Sequence, residues 1–218
     1  MNINRYTKIF IKNIMLGLGN VHLSLFDKDQ IFGVLQKAYT AMSPRTLVKT
    51  PSATPLSSRA RLSVLSDLSQ IFVDYFKAPA PANQADFDEW HKDTCKWFVR
   101  EFNLRVTAPA SYMPIEYGKA QKIVNVAFKY LYLFSQMTEG YPNHFAFCHF
   151  TVDGDTLKWY KKCVCKRGIA KPGKSWSNMK YPDYISIQDN VRLHLSVQKI
   201  LPKEPFFAEF EIWSEYAF

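Results

Sequence analysis

The sequence predicts a mainly α-helical bundle, formed as a single domain by residues 1–218, with room for a small β element. The composition supports one packed core, because 47% of the 218 residues are hydrophobic and 16% are aromatic. Between proline-rich breaks, apolar residues recur about every 3.6 positions, which is the period of an amphipathic helix. Glycine is scarce, with 8 residues in the chain, and this argues against folds that need many tight turns.

Proline-rich breaks separate the predicted helices. The breaks lie at about residues 43–58, at 78–82 and at 107–114, and the first is a long loop rich in Pro, Ser and Thr. We expect a helix over residues 27–42. A second helix is expected to be capped by Ser57 or Ser58, and a third by Asn83 with Asp86 at capping-box spacing.

The C-terminal part of the chain predicts three further helices. Asp155 is expected to cap a helix that begins at Thr156, and Pro182 and Pro205 are expected to begin the other two. Alternating apolar residues suggest the small β element. The candidate strands lie at residues 21–25 and within residues 145–152.

Residues 117–134 form the most apolar helical pattern, and a helix so apolar should be surrounded by other helices. One polar strip interrupts its surface and consists of Gln121, Lys122, Asn125 and Lys129. Two interpretations are open. The strip is the one face exposed to solvent, or it lines a cleft in which its amides and ammonium groups bind a phosphate or another anion.

The positive charge of the chain is concentrated in one segment. The chain has 28 basic and 19 acidic residues, a formal net charge of +9. Eight basic residues and no acidic residue lie between positions 158 and 180, so the rest of the chain is close to neutral. These basic residues are Lys158, Lys161, Lys162, Lys166, Arg167, Lys171, Lys174 and Lys180, and Trp159, Tyr160, Trp176 and Tyr181 lie among or beside them.

Flat aromatic rings interleaved with unrelieved positive charge suit a phosphate backbone with stackable bases. The leading hypothesis is therefore a nucleic-acid-binding protein that uses residues 158–181, which we call the basic segment, with Trp159 and Trp176 among the rings that stack on bases. An alternative is a protein-interaction module, a subunit or inhibitor of a larger complex, whose basic face docks on an acidic partner. A lysine-rich surface that serves solubility alone is the third interpretation.

A further alternative to nucleic-acid binding is that the protein is a hydrolase or nuclease. His149 and Asp153 could form an acid–base pair, with Lys122 or Lys129 stabilising negative charge. These residues could equally cap a helix and make ordinary buried hydrogen bonds. We assign no metal site, because Cys163 and Cys165 would point about 200° apart on a helix and would not converge on one ion.

The sequence predicts a cytoplasmic protein without a cofactor. Neither common glycine-rich nucleotide-binding loop is present. No run of about 18 apolar residues exists, so we expect no membrane span. The four cysteines lack the context of a secreted disulfide framework, which favours a reducing compartment and free thiols.

Several short sequence motifs, mostly in the C-terminal half, together resemble motifs found in other proteins. They are the sequence YGKAQK at 117–122 with Asn125 and Lys129-Tyr130-Leu131, the His149-x-x-x-Asp153 spacing, Trp176-Ser177, and residues 209–213. This combination resembles motifs in a group of small, functionally uncharacterised bacterial proteins. The resemblance implies that these elements belong to one fold and assigns no activity.

Overall fold

The computed structural model describes residues 24–42, 55–106, 114–135, 142–165 and 175–216. Within these residues the protein is mainly α-helical, as predicted. The helices are α1 (Lys28–Thr40), α2 (Pro55–Lys77), α3 (Gln84–Arg105), α4 (Tyr117–Ser135), α5 (Gly154–Trp159), α6 (Tyr181–Val197) and α7 (Pro205–Tyr216). A π-helical turn, Tyr160–Val164, continues α5, and short 3-10 turns form at Pro142–Phe145 and Trp176–Asn178.

Helix α4 lies at the centre of the bundle, as its apolar pattern predicts. It packs against α1, α3, α6 and the 3-10 turn at Trp176–Asn178. Most of its apolar side chains are buried, and some of them contact aromatic rings from α2 and α3. Phe128, for example, meets Phe72 on α2 and Phe87 on α3.

Capping side chains are present at the starts of α1 and α3. Asp27 accepts hydrogen bonds from the backbone at the start of α1, and Asn83 accepts one from the Asp86 amide at the start of α3. The Asp86 carboxylate accepts from the Ala82 amide, one residue before the cap. The prediction of Asn83 as the cap is confirmed.

Two predicted caps are wrong. Helix α2 begins at Pro55, so Ser57 and Ser58 lie inside its first turn. Helix α5 is capped by Asp153 rather than by Asp155. Asp153 has a reciprocal partner three residues later, because the Thr156 hydroxyl accepts from the Asp153 amide while the Asp153 carboxylate accepts from the Thr156 amide.

The predicted β element is not present in the described residues. Residues 145–152 begin in a 3-10 turn and continue as a segment without regular secondary structure, and no described strand pairs with it. The other candidate strand, at 21–25, falls mostly outside the described residues. A turn rather than a strand begins at Leu25.

Candidate functional site

The polar strip of α4 faces the segment 149–153, which we call the core segment because it passes through the interior of the bundle. Gln121 accepts a hydrogen bond from the Val152 amide (3.1 Å) and donates one to the Val152 carbonyl (2.6 Å). Gln188 on α6 likewise accepts a hydrogen bond from the Phe150 amide (3.1 Å) and donates one to the Phe150 carbonyl (2.7 Å). The alternation of partners along the core segment is typical of an extended chain.

An ion pair holds the middle of the core segment. The Glu209 carboxylate on α7 accepts from the Thr151 amide (2.7 Å) and forms an ion pair with Lys129. Lys129 also donates to the Thr151 hydroxyl (2.6 Å). Burial raises the pKa of Glu209, and the nearby Lys129 ammonium opposes that shift.

Lys122 completes the contacts of the strip with the core segment. Its ammonium lies 3.0 Å from the Asp153 carboxylate, and both side chains are mostly buried. Burial raises the pKa of Asp153, but the charge and hydrogen bond of Lys122 outweigh this and hold it below its ordinary value. The strip is therefore neither a solvent-exposed face nor an open cleft, because the protein's own chain fills the space beside it.

The predicted pairing of His149 with Asp153 is wrong. His149 contacts Asp88 (2.6 Å) and the Tyr184 hydroxyl (2.8 Å), whereas Asp153 caps α5 and pairs with Lys122. In an extended chain two residues four positions apart are separated by about 13 Å, which is far beyond hydrogen-bond reach. The four-residue spacing does not bring the two side chains together, because the core segment is not helical.

Asp88 on α3 is the carboxylate partner that sequence reasoning missed. It accepts two hydrogen bonds from Arg192 (2.6 and 2.9 Å) and one each from His149 and Gln84. Burial raises the pKa of Asp88, but the hydrogen bonds from His149 and Arg192 outweigh this effect and keep the pKa well below its usual range. Both oxygens of the Asp88 carboxylate therefore already accept hydrogen bonds from other side chains.

A second buried histidine extends the network towards α4. His91 contacts the Tyr117 hydroxyl (3.0 Å) and the Asn125 side-chain oxygen (2.9 Å), and Asn125 also donates to the Tyr184 hydroxyl. The His91 and His149 rings lie 4.3 Å apart. Burial lowers the pKa of both histidines, so each is neutral at neutral pH.

This network joins α3, α4, α6 and the core segment through bonds that satisfy nearly all of its polar atoms. The His149 side chain is 0% exposed, so no substrate can reach its imidazole. The assignment of His149 and Asp153 as an acid–base pair for hydrolysis is thus corrected. Among the described residues, no group of three His, Cys, Asp or Glu side chains is placed to hold a metal ion.

A sequence signal for the missed residues does exist. His91 falls between Phe87 and Cys95, and Gln188 falls between Tyr184 and Val191, in each case on an apolar face at helical spacing. A polar residue at such a position has to be hydrogen-bonded inside the core. Its partners, however, cannot be read from the spacing.

The basic segment divides into buried and exposed parts. Trp159 is 3% exposed and Tyr160 1% exposed, and Tyr160 accepts a hydrogen bond from Asn190 on α6. The prediction that Trp159 stacks on a ligand is therefore wrong, because its ring is part of the core against Phe150.

The basic side chains of the segment differ in their surroundings. Lys158 is paired with Asp155 at 2.7 Å, whereas Lys161 and Lys162 project from the exposed side of the π-helical turn. The other basic residues that we predicted to bind a ligand lie outside the described residues. They are Lys166, Arg167, Lys171 and Lys174.

Trp176 and Tyr181, which we call the aromatic pair, are two half-buried rings in the part of the basic segment that rejoins the bundle. The Lys122 ammonium lies 4.9 Å from the Trp176 ring centre, and the Lys96 ammonium lies 5.7 Å from the Tyr181 ring centre. The Trp176 turn is fixed to the start of α4, since Gly118 donates to the Met179 carbonyl and leaves no room for a Cβ beside the Trp176 carbonyl. The Tyr181 ring contacts the ring of Tyr117, the first residue of α4.

Comparison with protein-family models, with curated proteins and with solved structures found no match to this chain. Of the helices in the described ranges, none is long and apolar enough to cross a membrane.

Proposed function

We propose that this protein binds nucleic acid through the basic segment. The observation that carries the proposal is the aromatic pair, the half-buried rings of Trp176 and Tyr181. The exposed ammonium of Lys96 lies beside Tyr181, whereas Lys122, which lies beside Trp176, is already paired with Asp153. Base stacking on an aromatic side chain is tolerant of sequence, and neighbouring ammonium groups attract the phosphate backbone. Trp176 and Tyr181, rather than Trp159 and Tyr160, are the stacking surface in this proposal.

The charge of the basic segment suits a polyanion. Lys161, Lys162 and Lys180 are exposed, and four further basic residues lie between positions 165 and 175. Lys158 contributes less, because Asp155 already neutralises it. With about six phosphate contacts, affinity should fall about a thousand-fold between 50 and 200 mM salt.

Fluorescence anisotropy tests the proposal with labelled single-stranded RNA and DNA of about 12 nucleotides and with a duplex of the same length. The variant Lys161→Glu/Lys162→Glu should bind much more weakly than wild type. Lys77→Glu/Lys199→Glu is the matched control, since it makes the same change in net charge at exposed positions outside the basic segment. Equal binding by the two variants would contradict a local binding surface.

Stacking is tested separately from charge. Trp176→Ala should weaken single-strand binding by about 1–3 kcal/mol and duplex binding by less, because paired bases are not free to stack. Trp213→Ala is the control, since Trp213 is an exposed tryptophan on α7. Equal losses for single strand and duplex would leave Trp176 without a stacking role.

A second candidate function is a protein-interaction module whose basic face docks on an acidic partner. One observation favours it, since α6 and the residues after it expose Leu193 (66%), Val197 (76%) and Ile200 (91%). Exposed apolar side chains in a row are typical of interaction sites. The Tyr160–Asn190 hydrogen bond ties this face to the turn that carries Lys161.

The C-terminal aromatic residues contribute little to such a surface. Phe206 is fully buried and Phe207 and Phe210 are half-buried, whereas Trp213 is 53% exposed. Co-purification from the native host should recover a stoichiometric acidic protein with wild type and lose it with Leu193→Ser/Val197→Ser. Recovery of nucleic acid alone would exclude this candidate.

We further propose a reducing, cytoplasmic location. Cys95, Cys148, Cys163 and Cys165 are all free thiols, although the last two are close in sequence and half-buried. Free thiols persist where glutathione and thioredoxin keep them reduced. Cell fractionation with an antibody against the protein checks the location.

A further inference from the structure

An open groove lies at the end of the bundle where α2 is followed by α3. Its volume is about 550 Å³, within the range of sites that hold small ligands or several side chains. One wall comes from the last turns of α2, the other from the start of α3, and the connection between them is Ala78-Pro79-Ala80-Pro81-Ala82. Because that connection carries only methyl groups and proline rings, no long side chain of its own fills the groove.

The groove has a fixed aromatic base. The rings of Tyr75 and Trp90 are 4.4 Å apart. The Tyr75 hydroxyl donates to the His144 carbonyl (2.6 Å), and the His144 ring contacts the Ala78 carbonyl (2.9 Å). The aromatic base and the Ala78 edge of the groove are both hydrogen-bonded to His144 in the 3-10 turn Pro142–Phe145, so the groove is formed before any ligand arrives.

The charge of the groove is opposite to that of the protein. Asp74 and Asp86 are its charged lining residues, and both are exposed. Within the described residues neither carboxylate forms an ion pair, although three other aspartates on α2 and α3 do, namely Asp67, Asp88 and Asp93. Asp74 accepts a hydrogen bond from Gln70, and Asp86 accepts one from the Ala82 amide, and both of these donors are uncharged.

We propose that this groove binds a basic peptide segment of a partner protein, with an arginine or lysine side chain beside Asp74 and Asp86 and over the ring of Trp90. A guanidinium group pairs with carboxylates through a planar fork and stacks on aromatic faces. The apolar connection of alanine and proline then contacts the residues that flank the cation. A nucleic acid does not fit this site, because its phosphates would meet two carboxylates.

The proposal is independent of nucleic-acid binding by the basic segment. It is tested on the full chain with a fluorescein-labelled heptapeptide of leucine and alanine that has a central arginine. We expect binding at least about tenfold tighter than that of the same peptide with glutamine in place of arginine. Hydrogen exchange at the Ala78, Ala80 and Ala82 amides should slow when the arginine peptide is added.

The variant Asp74→Asn/Asp86→Asn keeps both side-chain shapes and should bring the arginine peptide to the affinity of the glutamine peptide. Asp183→Asn/Glu204→Gln is the matched control, since it removes two exposed acidic charges from other elements and should leave binding unchanged. Equal affinity for the two peptides, or equal loss in the two variants, would overturn the proposal. A dimer of this chain that dissociates only in Asp74→Asn/Asp86→Asn would also overturn it, because the groove would then hold a second copy.

Discussion

Gln121 on α4 makes two hydrogen bonds to one residue of the core segment, donating to the Val152 carbonyl and accepting from the Val152 amide. Gln188 does the same for Phe150 from the opposite helix, α6. A stretch of backbone buried without a sheet has to satisfy its N–H and C=O groups elsewhere. Here side-chain amides take the place of a neighbouring strand, and this explains how an extended segment is stable within a helical bundle.

The first prediction concerns this pairing. Gln121→Leu should lower the free energy of unfolding by about 2–5 kcal/mol, because it leaves two buried backbone groups unsatisfied. Urea denaturation followed by circular dichroism measures the loss. Gln70→Leu is the control, since Gln70 is an exposed glutamine on α2 that bonds a single carboxylate. That change should stay within about 0.5 kcal/mol, and an equal effect of both substitutions would contradict the role of Gln121.

The helices of this bundle could be predicted because their signals are local. The apolar stripe of α4, the Asn83 cap and the prolines at the starts of α6 and α7 each involve a few neighbouring residues. The core segment could not be predicted in this way. Its apolar and polar residues alternate as in a strand, but its partners are side chains on helices between 22 and 61 positions away. No local pattern encodes such contacts.

A second prediction follows from the ion pair of Lys129 and Glu209. Lys129→Met should destabilise the protein by about 3–5 kcal/mol at neutral pH, because it leaves the buried Glu209 carboxylate without its counter-charge. The double variant Lys129→Met/Glu209→Gln should recover most of that loss, since a neutral amide still accepts from the Thr151 amide. Denaturation of both variants gives the comparison.

Recovery of stability in the double variant distinguishes the effect of an uncompensated charge from the effect of lost packing. If Lys129 matters only for the methylene contacts of its side chain, Lys129→Met should cost little and Glu209→Gln should add nothing. Protonation of Glu209 should also remove the uncompensated charge in Lys129→Met. The difference in unfolding free energy between this variant and wild type should therefore shrink as the pH is lowered. A deficit that stays constant with pH would contradict the argument from charge.

The candidate site illustrates what spacing can and cannot show. The strip of Gln121, Lys122, Asn125 and Lys129 was recognisable as polar residues on one face of an apolar helix. Whether water, a ligand or the chain itself covers such a face depends on the path of residues far away in sequence. For the same reason Trp159 and Trp176 were equivalent in the sequence, yet one ring is in the core and the other is half-buried beside Lys122.

A third prediction concerns stability in mild acid. Burial lowers the pKa of His91 and of His149, so below about pH 6.5 the unfolded chain binds protons that the native state excludes. The contribution of each histidine is complete above that pH. It should be lost as the pH falls towards the lowered native pKa, with a slope of up to about 1.4 kcal/mol per pH unit for each.

Unfolding free energies measured at intervals from about pH 8 to pH 5 test this slope. Glu209, whose pKa is raised by burial, acts in the opposite direction, but it contributes equally to wild type and to His149→Gln. The variant should therefore show a shallower decline than wild type. Parallel curves for the two proteins would mean that His149 is not the group that titrates.

The last prediction compares two glycines in helices. A Cβ on Gly118 would lie 1.8 Å from the Trp176 carbonyl oxygen, whereas a Cβ on Gly33 in α1 has no atom within 4 Å. Gly33→Ala should stabilise the protein by about 0.5–1 kcal/mol, because alanine is the better helix former. Gly118→Ala gains the same helix propensity, but it forces the backbone of Trp176 away from α4, at a cost of about 1–3 kcal/mol.

The two substitutions should thus change the melting temperature in opposite directions, although they add the same methyl group to helices of the same bundle. Because Gly118 fixes the position of Trp176, Gly118→Ala should also weaken binding of single-stranded RNA or DNA, while Gly33→Ala should leave binding unchanged. Stabilisation by both substitutions would show that the 3-10 turn at Trp176–Asn178 moves without cost. In that case the aromatic pair would not be a fixed surface, and its proposed role in stacking would lose its structural basis.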